Sequence, residues 1–156
     1  MGEKTNAMRK LDSMKANYKE HYYVDTDAIA GVDIARVLNE DPARVFKTLV
    51  TVGKSSSHYV FLVPVAEELD LKKAALAVGE KSVEMVKSKE LLPLTGYIHG
   101  GCSPIGMKKF FRTVLHKTAA DFSTIFFSGG RIGFQVEMSV EELSKVIKFD
   151  YADLIR

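Results

Sequence analysis

A lysine set in an apolar run and a glycine-rich bend are the two features of this chain whose residue types suit chemistry. Lys47 stands in Val45-Phe46-Lys47-Thr48-Leu49-Val50. Strand alternation sends its side chain to the face opposite Phe46 and Thr48. An unpaired ammonium is expensive to bury. Lys47 is therefore either a solvent-facing residue or a cation aimed into a cleft, where it would meet a carbonyl oxygen or a phosphate. The second feature is Gly100-Gly101-Cys102-Ser103-Pro104-Ile105-Gly106. Three glycines, a serine and a proline make a poor helix and a poor strand but a good tight bend. This is either an ordinary reverse turn or a cradle where bare backbone approaches a ligand. In the cradle, N–H groups near Gly101 to Ser103 would hold an oxyanion or phosphate.

Other chemistries find less support. Cys102 and His116 do not stand at a spacing that implies a thiol–imidazole pair, and Cys102 reads as a small filler within the bend. The four histidines form no His-x₃-His pattern, and a single cysteine completes no zinc quartet, so neither metal nor cofactor is expected. There is no Gly-x-Ser-x-Gly elbow, phosphate loop or dinucleotide fingerprint. Lys108, Lys109, Arg112 and Lys117 follow the bend. They are either a solvated charge run or contacts to a nucleic-acid backbone. Of the adjacent Phe110 and Phe111, alternation sends one into the core.

The elements that must position these residues fit one domain spanning residues 1–156. Hydrophobic residues make up 46% of the chain and charged residues 27%, as in soluble globular proteins. A net charge of +2 excludes a protein that grips long nucleic acid by charge alone but permits a local basic face. The lone thiol suits a reducing cytoplasm. No apolar run suits a signal peptide or a membrane span.

Met8, Leu11 and Met14 follow helical spacing, with Thr5 or Asn6 as a cap. Tyr18 to Val24 reads as a strand. Ile34, Val37 and Leu38 suggest a short helix after Gly31, ended at Asn39-Glu40-Asp41-Pro42. Val45–Val52 and Tyr59–Val65 form a hairpin around Gly53–Ser57. Asp70 caps a helix over Leu71–Val78 that stops at Gly79. Val83–Val86 is a short strand. Ser88 caps a helical turn through Leu92, with Pro93 beyond it. Phe110–Leu115 is a strand, and Thr124–Phe127 pairs with Ile132–Met138 across Ser128–Arg131. Ser139 and Glu142 suit a capping box for a final helix to about Ile147. The mixed order predicts a largely antiparallel or mixed curved sheet with helices packed on it.

Several pieces in this order carry a resemblance: Phe46-Lys47-Thr48-Leu49, Pro64-Val65, Leu69-Asp70-Leu71-Lys72-Lys73, Val83-Glu84-Met85, Thr95-Gly96-Tyr97, the 100–106 bend and Ser128-Gly129-Gly130-Arg131. Together they resemble the YbaK/EbsC family of freestanding aminoacyl-tRNA deacylases, related to the editing domain of bacterial prolyl-tRNA synthetases. The likeness covers about residues 5 to 154 and is nearest the Cys-tRNA(Pro) deacylase branch. It implies a compact mixed α/β (α+β-like) domain, with a curved, barrel-like sheet flanked by helices. It implies hydrolysis of the ester between a wrongly attached amino acid and the 3′ end of tRNA.

The same resemblance implies the site. Lys47, Gly101 and Ser103 would act on the ester. Tyr23 (or Tyr22), Thr48, Gly100, Cys102, Pro104, Gly106, Ser128, Gly129 and Gln135 would bind substrate. Lys108, Lys109, Arg112 and Arg131 would contact tRNA. Part of the family has an aspartate where this chain has Gln135, which can hydrogen-bond but cannot act as a base. For a cysteinyl substrate, the substrate thiol would attack its own carbonyl. The alternatives are a deacylase for another small amino acid such as alanine, using an ordered water, and a non-catalytic tRNA-binding module. The expected partner beside aminoacylated tRNA is prolyl-tRNA synthetase, and the expected compartment is the cytoplasm.

Overall fold

A computed structural model describes residues 4–23 and 31–156. Its described residues form a mixed α/β fold with two sheets. The first is antiparallel, with β7 (Phe134–Met138) between β1 (Lys19–Tyr22) and β6 (Ile125–Ser128). The second runs β4 (Val83–Met85), β2 (Phe46–Gly53), β3 (His58–Pro64), β5 (Arg112–His116), β8 (Asp150–Ala152). In it, β2 pairs antiparallel with β3 and β4, while β5 is parallel to both β3 and β8. The continuous curved sheet expected from the sequence is thus split. An isolated parallel bridge between Val45 and Phe126 joins its two halves, which do not close into a barrel.

Local chemistry explains most boundaries. Thr5 caps α1 (Asn6–Ser13) by accepting from the Met8 amide at 3.1 Å. Asp70 caps α3 (Leu71–Val78) by accepting from the Lys72 and Lys73 amides at 2.9 and 3.1 Å. That helix ends where Gly79 turns left-handed. Ser139 accepts from the Glu142 amide to start α5 (Val140–Ser144). The Glu142 carboxylate does not close a capping box. It accepts from the Asn17 amide and pairs with Lys145, and α5 stops short of Ile147.

Three expectations need correction. The helix at Ser88 does not stop before Pro93: α4 (Ser88–Thr95) runs through it to a left-handed Gly96. Proline removes one bond to the carbonyl of Lys89, a residue exposed to solvent. The next strand begins at Arg112, leaving Phe110 exposed while Phe111 packs on the core. The strand read as Tyr18–Val24 covers Lys19–Tyr22, and Val24 lies outside the described residues.

The core fills the space between the sheets. Phe46, Val50, Leu62 and Leu115 of the larger sheet meet Ile125, Phe127, Val136 and Met138 of the smaller, with Met8 and Leu11 of α1. On the far face, Phe61, Val63 and Val114 pack under Ala74, Ala75 and Val78 of α3. Behind the smaller sheet, Phe126 packs with Val45, Val65 and Ala35 of α2 (Gly31–Val37). Among the described residues no helix is long and apolar enough to cross a membrane.

Candidate functional site

The register of β2 creates an open seam. On the β3 side the Val45 carbonyl accepts from the Val65 amide and the Gly53 amide donates to the Ser57 carbonyl, whereas the Val50 carbonyl accepts from the Val86 amide on the opposite side. Alternation therefore directs the peptide groups of Thr48 away from β3. The β4 strand covers only Thr51 to Gly53 of that side. Between this uncovered edge and the β6–β7 end lies a pocket of about 330 Å³. Its apolar wall includes Ile34, Phe46, Phe127 and Phe134, and its polar lining comes from Tyr23, Lys47, Thr48, His99, Ser128 and Gln135.

Lys47 and the glycine-rich bend meet here: Gly100 and Cys102 line the same pocket as Lys47. No carboxylate among the described residues forms an ion pair with Lys47. Burial lowers its pKa, and the charges of Glu68 and Glu67 only partly restore it. The Tyr23 phenol is buried, which pushes its pKa up, so it stays protonated. The Thr48 hydroxyl and the Gln135 carbonyl oxygen are buried with no hydrogen-bond partner among the described residues. A site holding a cation and hydroxyl donors, with polar atoms left open, is suited to a ligand rich in oxygens.

Gly101, Ser103, Pro104 and Ile105 of the bend are buried, and Gly106 is exposed. Ser103 is fully buried, and its hydroxyl accepts from the Ile105 amide at 3.2 Å. The Tyr97 hydroxyl donates to the Ile105 carbonyl at 2.6 Å. A Cβ on Gly101 would stand 3.0 Å from the Ile132 nitrogen, so that glycine permits close backbone packing against the β6–β7 turn. Pro104 and Gly106 line a second groove with Lys10, Phe110 and Lys148. Ser103, Pro104 and Gly106 therefore lie behind the pocket, not in its lining, because this half of the bend is anchored to Tyr97 and α1. Gly129 does not line the pocket either, and a Cβ there would crowd Phe134 and Met8.

Cys102 is a buried thiol whose pKa burial pushes up to about 12, against a small opposing bond from Thr95. It is held protonated at neutral pH, a state that does not suit a thiol nucleophile. Among the described residues no group of His, Cys, Asp or Glu has the arrangement of a metal site.

The basic residues divide. Lys108 and Lys109 are exposed and off the pocket lining. The Arg131 guanidinium lies over the ring of Phe134, a pocket-wall residue, at 5.2 Å. Arg112 reaches the Ala77 and Val78 carbonyls at the end of α3 and stands 3.9 Å from Asp150, which is a helix-end role.

Sequence reasoning missed His99 and Glu40. His99 lines the pocket next to Gly100, and that adjacency was its available signal. Glu40 accepts from the Gln135 amide at 2.9 Å. Burial raises its pKa, while the Gln135 bond and the charge of His21 oppose the rise. Nearby, Glu137 pairs with His21 at 2.8 Å and accepts from Thr124, and these bonds overcome burial to hold its carboxyl below the usual range.

Comparison with known proteins bears on what enters this pocket. A family model described as the aminoacyl-tRNA editing domain matches residues 26–146. A curated protein of Enterococcus faecalis, EbsC, is 43% identical over 97% of this chain and 93% of its own length. It is provisionally named a Cys-tRNA(Pro)/Cys-tRNA(Cys) deacylase. The crystal structure of a hypothetical protein superposes with a TM-score of 0.88 at 18% identity, over 97% of this chain and all of the other. Another crystal structure, described provisionally as a trans-editing enzyme for prolyl tRNA synthetase, gives 0.83 at 23% identity, over 97% of this chain and 95% of its own. At those identities the two structures speak for the fold alone.

Proposed function

This chain belongs to the aminoacyl-tRNA editing domain family, and from that premise we propose that it removes wrongly attached amino acids, cysteine first among them, from the 3′ end of tRNA. The observation that carries the proposal is that Lys47, without an ion-pair partner among the described residues, lines one pocket with Gly100 and Cys102 of the bend. The whole chain acts as one deacylase domain. A tRNA substrate implies the cytoplasm.

The ester of an aminoacyl-tRNA is activated, so positioning and charge stabilisation suffice. Lys47 sits where it can meet the ester carbonyl or the terminal phosphate. Tyr23, Thr48 and Ser128 orient the aminoacyl-adenosine. With Cys102 protonated and Ser103 buried, the enzyme supplies no nucleophile. The substrate's own thiol supplies it: sulfur bonds to the carbonyl carbon, the bond from that carbon to the ribose oxygen breaks, and the thiol proton ends on the departing hydroxyl. The cyclic thioester product then hydrolyses in water. Lys108, Lys109 and Arg131 form an outer basic face for the acceptor end. A net charge of +2 gives little grip on the tRNA body, so prolyl-tRNA synthetase is the proposed source of tRNA choice.

The test is release of amino acid from Cys-, Ala- and Ser-tRNA(Pro) by the wild type and by Lys47→Ala. Rapid Cys release, much slower Ser release and a dead, folded Lys47→Ala variant are expected. Equal Cys and Ser rates would remove the thiol-assisted route. Preferential Ala release would favour an ordered water instead. Binding of tRNA without release from any ester would leave only a binding module.

A further inference from the structure

The buried end of Gln135 is the least explained polar group near the pocket. Gln135 is 2% exposed and lines the cavity, and its carbonyl oxygen has no partner among the described residues. Its amide nitrogen donates to Glu40 at 2.9 Å, from a loop 95 residues away in the chain. An ionised carboxylate only accepts hydrogen bonds. Glu40 therefore draws the NH₂ end of the amide to itself and leaves the oxygen for whatever occupies the pocket. The amide dipole is then aligned, with negative charge behind it and its negative end toward the ligand.

Among the other polar side chains of the lining, Tyr23, Thr48, Ser128 and His99 can donate as well as accept, whereas the Gln135 oxygen can only accept. The Lys47 ammonium only donates, and the Ser128 hydroxyl already accepts from the Gly130 amide at 3.1 Å. An aminoacyl ester carries oxygens that suit Lys47, and it also carries one cation. We propose that Gln135 is the acceptor for the α-ammonium of the aminoacyl group, and that Glu40 is the positioning residue that fixes which end of the amide faces it. This rests on the deacylase assignment above and adds the group that recognises the amine. A carboxylate one step behind an amide thereby serves where the pocket itself offers a neutral side chain.

The experiment compares a cysteinyl-tRNA with its isostere bearing an α-hydroxyl in place of the amine. Both are presented to the wild type, Gln135→Met and Glu40→Gln, with the melting temperature of each variant recorded. Loss of a hydrogen bond to a charged group predicts that Gln135→Met lowers kcat/KM on the amine substrate by about tenfold or more. On the hydroxy isostere the same variant loses less than about threefold, since a neutral donor gains less from the acceptor. Glu40→Gln, which removes the orienting charge and leaves the pocket lining intact, shows the same selective loss at smaller size, and Glu40→Asp recovers part of it. Equal losses on the two substrates, or no loss on the amine substrate, overturn the inference. Should Gln135→Met fail to fold, the Glu40→Gln comparison decides alone. A folded wild type that releases neither acyl group would instead overturn the deacylase assignment.

Discussion

Tyr97 pins the bend at Ile105: its hydroxyl, on a residue only 5% exposed, donates to the Ile105 carbonyl at 2.6 Å. The next residue, Gly106, has φ +79°, and a Cβ there would stand 2.9 Å from that same hydroxyl. The half of the bend behind the pocket is thus a structural anchor, and the half with Gly100 and Cys102 is carried by it. Gly106→Ala should cost about 1–3 kcal/mol through backbone strain and displacement of the tyrosine. That lowers the melting temperature by roughly 2–4 °C per kcal/mol. A thermal melt of Gly106→Ala matching the wild type would show that the anchor does not matter.

Lys47 sets function against stability. Replacing a partly desolvated ammonium that has no ion pair among the described residues with an apolar side chain of similar length removes a burial cost. Lys47→Met should melt at the wild-type temperature or roughly 1–4 °C above it. Its deacylation rate should fall by about 10²–10³ through lost charge stabilisation. Activity within a few-fold of wild type would take Lys47 out of the reaction. A large drop in melting temperature would trace the loss to folding.

Cys102 separates an enzyme thiol from a substrate thiol. Burial holds its pKa at about 12, so Cys102→Ala should retain deacylase activity within about threefold while losing about 1 kcal/mol of stability to the small cavity. A folded Cys102→Ala protein with no activity would require the enzyme sulfur in the mechanism.

His116 gives the fold a pH dependence. It is 2% exposed, and its Nδ1 accepts from the Leu154 amide at 3.1 Å, which requires that nitrogen to be unprotonated. Burial, with help from Lys117 and Lys73, lowers its pKa below the ordinary 6.5, with Asp153 and Glu67 opposing. The unfolded chain then binds the proton more tightly. The stabilisation is complete above about pH 6.5 and is lost as pH falls from there through the folded value. In His116→Asn, whose side-chain oxygen can take the same amide, the melting temperature should vary less between about pH 7 and 5. An unchanged slope would assign the dependence to other groups.

Legibility in the sequence followed the range of the interactions. Asp70 and Gly79 announced α3 because a cap acts within one turn. Lys47 was visible because strand alternation is local, and its meeting with the 100–106 bend came from the ordered motifs. Pro93 misled because proline removes only one backbone bond, and the residue that would accept it, Lys89, is on the exposed side of the helix. The β8 strand, Asp150–Ala152, gave no signal: it is short, and its parallel pairing to β5 spans distant chain. Ser103 and Gly106 have the composition of a ligand cradle, yet Ser103 is spent on the Ile105 amide and Gly106 on close approach to Tyr97. The bond from Gln135 to Glu40 crosses 95 residues between two unremarkable positions.

The isolated bridge between Val45 and Phe126 has one more consequence. The pocket opens beside it, with β2 on one flank and β6 and β7 on the other, so an occupant would touch both halves of the molecule at once. The mesh of such a sieve is set by how far those halves stand apart. A bulky acyl chain would have to pry them open, which makes tolerance of size an elastic property of the whole fold.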